Sequence, residues 1–97
     1  MKINKHQRRK LKRLAHSLKV STNIGKSGLT EGVISSLNEI LDNKELIKIK
    51  FTQNKDIREK LSSEIISKTK SNEICLIGNT LIIYRQSSNP QKRHIKI

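Results

Sequence analysis

The sequence predicts an α/β fold: a two-layer sandwich of order α-β-α-β-α-β-β around a four-stranded mixed sheet. Three observations carry this. Segments with apolar residues at helical spacing alternate with short segments that alternate apolar and polar, the pattern of strand-helix-strand crossovers. The last two apolar runs, Ile74-Cys75-Leu76-Ile77 and Leu81-Ile82-Ile83-Tyr84, are separated only by Gly78-Asn79, a hairpin signal because both residues tolerate positive φ. The final run is apolar on both sides, which suits a central strand. Crossover connections are right-handed, so two that step the same way put both crossover helices on one face. The first helix is then an addition to the sandwich. A chain of 97 residues is expected to form a single domain over 1–97, with a core over about residues 4–85.

The elements follow in order. Residues 4–16 read as a helix: at about 100° per residue Leu11, Leu14, Ala15 and Leu18 share one side. Lys5, Arg8, Arg9, Lys12, Arg13 and His16 gather on the other. Residues 19–24 alternate as a short strand, with Val20, Thr22 and Ile24 on one face. Thr30 is placed to cap a second helix that runs to about Asn43 on Leu29, Val33, Ile34, Leu37, Ile40 and Leu41. Residues 45–51 form the second strand, with Ile47, Ile49 and Phe51 facing one way and Leu46, Lys48 and Lys50 the other. Gln53-Asn54-Lys55 reads as a polar loop. Asp56, with Glu59 three residues on, resembles a capping box for a third helix that ends near Lys70. Beyond Pro90 the chain is polar and basic, and the segment 86–97 is expected to be a loosely ordered tail.

Charge narrows the function. There are 21 Lys and Arg against 8 Asp and Glu, a net charge of +13. Nine of the basic residues and none of the acids fall within residues 1–30, so most of the charge sits in the first third. A helix face with no offsetting acid is not an ordinary solvated face, and so large a charge calls for a polyanionic partner. A membrane surface is a poor candidate, because the apolar side of the first helix is narrow and has no Trp or Phe. No apolar run is long enough for a span and no apolar segment follows the basic start, so a cytoplasmic location is expected. Cys75 has no partner for an internal disulfide and lies in an apolar run. The three histidines are scattered, no Cys/His or carboxylate cluster has ligand spacing, and no Ser/His/acid pattern stands out. No metal, cofactor or catalytic role is expected. A monomer is expected from the like charge.

The stretch that points to a site is Ile24-Gly25-Lys26-Ser27-Gly28-Leu29-Thr30. It reads as the end of a strand, a tight glycine turn and a helix start. Two glycines let the backbone turn sharply and approach a ligand, the helix N-terminus offers N–H groups and partial positive charge, and Lys26 adds a cation. Such a loop favours a phosphate. Gly25-Lys26-Ser27 looks like the end of a nucleotide-binding P-loop, but that pattern needs glycine where Val20 stands, and no aspartate closes a strand to hold magnesium. A nucleic-acid backbone is the stronger reading, and charge alone suits RNA and DNA equally.

Four separated segments then carry a family resemblance. Leu14-Ala15-His16-Ser17-Leu18-Lys19, Ile24-Gly25-Lys26-Ser27-Gly28-Leu29-Thr30-Glu31-Gly32-Val33, Glu45-Leu46-Ile47-Lys48-Ile49-Lys50 and Ile77-Gly78-Asn79-Thr80-Leu81-Ile82-Ile83-Tyr84-Arg85 resemble, in order and spacing, the YhbY family. These are the bacterial stand-alone members of the CRM-domain group. The resemblance implies a fold like the C-terminal domain of the third bacterial initiation factor, a four-stranded mixed sheet with helices on one side. It implies binding to ribosomal RNA of precursor large ribosomal subunits during assembly. It also places the family's GxxG loop on Gly25–Gly28, comparable in use to the KH-domain loop that clamps a nucleotide backbone. Ser17 stands where the family would have proline, and Asn79 where the hairpin often has lysine.

The expected site therefore comprises Gly25 and Gly28 for backbone approach and Lys26 and Ser27 on a phosphate. Lys5, Arg8, Arg9, Lys12 and Arg13 form an electrostatic footprint that positions rather than specifies. With only Phe51 and Tyr84 as aromatics, stacking on a sheet platform is not expected; Tyr84 is the single stacking candidate, and a place in the core is the expected one for it. The alternative is a general DNA-binding or architectural protein.

Overall fold

A computed structural model describes residues 2–53 and 55–97; Asn54, in the expected polar loop, lies outside the described residues. The chain forms α1 (Lys5–His16), β1 (Thr22–Ile24), α2 (Glu31–Lys44), β2 (Leu46–Phe51), α3 (Arg58–Thr69), β3 (Asn72–Ile77) and β4 (Thr80–Tyr84). Short 3-10 turns occur at Lys55–Ile57 and Pro90–Lys92. The four strands form one sheet in the order β1-β2-β4-β3. β1 pairs parallel with β2, and β4 lies antiparallel between β2 and β3. The last strand is thus central, and the fold is the mixed α/β sandwich that its apolar pattern predicted.

Strand alternation divides the core in two. Ile24, Ile47, Ile49, Phe51, Leu81 and Ile83 face α2 and α3, where Leu37, Leu41, Leu61 and Ile65 meet them. Both crossovers step the same way, and their helices share this face as right-handed connections require. Leu46, Ile82 and Tyr84 face the other way and receive Leu11 and Ala15 of α1. A bulge between Glu73 and Cys75 turns both Ile74 and Cys75 toward this second cluster. The added helix α1 therefore covers the sheet face opposite α2 and α3, so the helices lie on both sides of the sheet rather than on the one side that the resemblance implied.

Local chemistry explains the boundaries. Asn4 caps α1 reciprocally: the Gln7 N–H donates to Asn4 Oδ1 at 2.8 Å, and the Asn4 N–H donates to Gln7 Oε1 at 3.0 Å. Thr30 caps α2 as expected, accepting from the Val33 N–H at 3.1 Å. The capping box expected at Asp56 does not form: α3 starts after a 3-10 turn, at Ile57, with no side-chain cap bond. In α1 only Leu11 and Ala15 are buried; Leu14 and Leu18 stay 41% and 37% exposed, so the expected four-residue stripe is half used. Gly78 has φ +58 while Asn79 does not adopt positive φ, the sign pattern of a type II′ hairpin turn.

The C-terminal segment departs from the expected loose tail. Glu45, fully buried at the α2–β2 junction with φ 66, accepts from the backbone N–H of Ser87 at 2.7 Å and of His94 at 2.9 Å. Arg93 Nε donates to the Ser87 carbonyl at 2.8 Å, and Ile95 and Ile97 pack against the second cluster. A buried carboxylate needs donors, and this segment supplies them. Arg85 performs a similar tie at the end of β4. Its guanidinium donates to Asn38 Oδ1 at 2.7 Å, the Asn38 carbonyl at 2.9 Å, the Thr69 carbonyl at 2.6 Å and Asp42 Oδ1 at 3.2 Å.

Candidate nucleic-acid interface

β1, β2 and β3 all end at one edge of the sheet, and β4 begins there. The glycine loop lies at this edge. On one side it is anchored by buried Ile24, on the other by Leu29 packed against the α2–α3 core. The Ile24 carbonyl is held by the Thr52 N–H at 2.9 Å and by Thr52 Oγ1 at 3.2 Å. Between the anchors the Gly28 N–H donates to the Gly25 carbonyl at 3.0 Å and closes a four-residue turn. Lys26 and Ser27 are exposed at its tip. The turn is thus preformed, with its cation outward.

The two glycines serve different ends. Gly28 has φ +65, a left-handed conformation that a Cβ would strain. Gly25 has no such backbone requirement, and a Cβ there would meet Thr52 Oγ1 at 3.6 Å, an ordinary contact. The fold therefore favours glycine at 28 and tolerates a methyl at 25. The α2 terminus is less open to an anion than the sequence suggested. Thr30 Oγ1 already occupies the Val33 N–H, and Glu31 adds negative charge in the first turn. Lys26 is left as the principal attraction of the loop.

The α1 cations divide. Arg8 Nη1 donates to the Glu73 carbonyl and, at 2.8 Å, to the Ile74 carbonyl, so Arg8 fastens α1 to β3 at the bulge. Lys5, Arg9, Lys12 and Arg13 are exposed. At about 100° per residue Lys5 and Lys12 share the flank of α1 that carries Arg8, while Arg9 and Arg13 turn away from the sheet.

Lys12 and His16 border a shallow depression with Lys48 of β2 over the uncovered part of the sheet face. Lys48 and Lys50 alternate with buried Ile47, Ile49 and Phe51, so both point to the α1 side. Lys50 pairs with Asn23, two residues before Gly25. Lys12, Lys48 and Lys50 thus share the α1 side of the sheet, and Lys50 is level with the residues just before the loop that carries Lys26. The strand lysines were missing from the expected site. Their alternation was visible in the sequence, but only the strand order makes them neighbours of the loop.

Tyr84 is 1% exposed within the second cluster and presents no face for stacking. Its hydroxyl has no hydrogen-bond partner among the described residues, and burial, with Glu45 adding to it, pushes its pKa up. Burial also raises the Cys75 thiol, although Lys12 pulls it down, so the half-buried sulfur stays protonated. Among the described residues no group of three or more His, Cys, Asp or Glu is placed to hold a metal ion, and no helix is long and apolar enough to cross a membrane.

Residues 3–85 match the model of the CRS1/YhbY (CRM) domain. The chain belongs to this family. A probable RNA-binding protein of Pseudomonas aeruginosa is 32% identical over 93 residues, covering 95% of this chain and 89% of that one. An RNA-binding protein of Haemophilus influenzae is 34% identical over 86 residues, with 88% and 87% covered. Among solved structures, a hypothetical protein of Staphylococcus aureus, proposed to bind RNA, matches with a TM-score of 0.79 and 31% identity over 98% of this chain and all of that one. The matched regions cover 87% or more of each of these three proteins.

Proposed function

We propose that this CRM protein is a non-catalytic RNA-binding protein that engages ribosomal RNA of precursor large ribosomal subunits during assembly, as a cytoplasmic monomer. The observation that carries the reading is the preformed Gly25–Gly28 turn with exposed Lys26 at its tip, at the same end of the sheet as Lys50, which shares a face with Lys48 and Lys12. A row of mobile ammonium groups beside a tight glycine turn suits successive phosphates of one strand. Lys5, Arg9 and Arg13 widen the field and contribute attraction at longer range. The names of the relatives favour RNA over DNA, and the resemblance to the YhbY family supports the ribosomal target.

The test is sedimentation of cell lysate through sucrose gradients at low and at raised salt. The protein is expected with large-subunit or precursor particles at low salt and at the top of the gradient at raised salt. If it stays at the top in both, the ribosomal assignment fails. A direct comparison of RNA and duplex DNA of equal length then decides between RNA binding and general nucleic-acid binding; equal affinities would favour the latter.

A further inference from the structure

The track of lysines has an apolar floor that phosphate binding does not require. Between Lys12, His16 and Lys48 the depression is lined by Ile77, Thr80 and Ile82 and encloses about 300 Å3. Ile82 is almost buried, but Ile77 is 62% exposed, more than any other large apolar side chain among those described. It sits beside the rigid hairpin turn and pairs with Thr80, so its position is set by the ladder rather than by a loose loop. The neighbouring Cys75 thiol is neutral and adds no charge to this floor.

A purely electrostatic surface gains nothing from an exposed isoleucine. A strand of RNA gains from one if a base leaves its stack, because every base has an apolar face to cover it. The volume lies at the low end of small-ligand sites, about 300–1,000 Å3, and suits a nucleobase. A duplex keeps its bases inside, whereas loops and bulges can splay them out. The surrounding cations decide the occupant: they favour a ligand that brings an apolar face and a negative backbone together. We propose that this depression receives an unpaired nucleobase of the RNA whose phosphates run along Lys12, Lys48, Lys50 and Lys26. The inference rests on the phosphate reading above and adds to it that the recognised element contains single-stranded RNA.

The test uses the full chain and two probes, a single-stranded oligouridylate of about ten nucleotides, within the usual span of single-strand sites, and an abasic sugar-phosphate chain of equal length. The natural protein is expected to prefer the base-bearing probe by about tenfold, as covering one apolar side chain allows. Ile77→Ser is expected to remove most of that preference and leave abasic binding unchanged. Ile77→Phe, with more apolar area, is expected to increase it. Position 77 is at the surface, and thermal unfolding verifies that the variants fold. Lys26→Ala is expected to weaken both probes alike. Equal affinity of the natural protein for both probes would overturn the base site while leaving the phosphate track standing. An equal loss on both probes in Ile77→Ser would overturn it too. Binding to neither probe would remove the phosphate reading, and the base site with it.

Discussion

At the scale of single residues, the two glycines of the loop separate what folding needs from what a ligand needs. Gly28 has φ +65, so Gly28→Ala places a Cβ in the left-handed region at a cost of about 1–2 kcal/mol. In a chain of this size that lowers the melting temperature by roughly 4–15 °C. Gly25→Ala meets only Thr52 Oγ1 at 3.6 Å and is expected to melt within a few degrees of the natural protein. It nonetheless puts a methyl where a phosphate backbone would approach, so RNA affinity should fall. If Gly25→Ala binds RNA normally, close backbone approach at this turn is not part of recognition. Tyr84 gives a second residue-scale expectation. Its buried hydroxyl has no partner among the described residues, so it carries a desolvation cost without a compensating bond. Tyr84→Phe is therefore expected to leave the melting temperature unchanged or raise it, and to leave RNA binding intact, since Tyr84 is 1% exposed. A clear destabilisation would show that the hydroxyl has a partner after all. Tyr84 also shows the limit of reading a sequence: an aromatic at a strand end can stack on a base or fill a core, and only the position of α1 decides.

At the scale of elements, regular periodicity was legible and long-range partnerships were not. Helical and strand patterns placed each element within a few residues, and the two-sided apolar character of Leu81–Tyr84 correctly put β4 inside the sheet. The Asp56 signal misled because a cap is only realised when the backbone enters the helix there, and a 3-10 turn intervenes. The tail misled for a different reason. Its partner, Glu45, lies more than forty residues earlier, and nothing local in a polar basic segment announces a buried carboxylate waiting for donors. Arg8 belongs to the same class: its role depends on two carbonyls exposed by the bulge of β3. Arg8→Ala is accordingly expected to cost stability, about 1–3 kcal/mol for charge-assisted bonds, with little change in the salt dependence of RNA binding. Replacing Lys48 and Lys50 by Ala should do the opposite, sparing stability and flattening the salt slope by about one to two. Thermal melts and binding titrations at several salt concentrations on both variants check this division. The Glu45 tie predicts a pH response. Burial alone would raise its carboxyl, but the Ser87, His94 and Ile95 N–H groups and the His94 ring outweigh it and hold it below the ordinary 4.5. A depressed folded value means the stabilisation is complete above the ordinary carboxylate range and is lost as pH falls through the folded value. Glu45→Gln is expected to lower the melting temperature at neutral pH by roughly 10 °C, for a loss of about 2 kcal/mol, and to reduce the acid sensitivity of what remains. Equal acid sensitivity in both proteins would place the titrating group elsewhere.

At the scale of the whole molecule, the charge of +13 acts in two directions that salt can separate. In the free protein the like charges crowded into the first third repel one another in the compact state. Salt screens this, with a Debye length falling from about 30 Å at 0.01 M to about 10 Å at 0.1 M, so the melting temperature of the free protein should rise with salt. The complex responds the other way. If Lys12, Lys26, Lys48 and Lys50 each neutralise one phosphate of a single strand, log affinity should fall against log salt with a slope of about −3. A fourfold increase in salt would then weaken binding by roughly fifty-fold. The conjunction is more discriminating than either half. A surface that is merely basic would also melt higher in salt, because screening needs no partner. A complex held mainly by apolar contacts would lose little affinity over the same range. Melting the protein across a salt series, alone and with RNA, and titrating RNA in the same buffers measures both. A rising melting temperature for the free protein, combined with a steep loss of affinity, is the expected pair. A rising melting temperature with salt-independent RNA binding would mean that the lysine track is not where the phosphates lie.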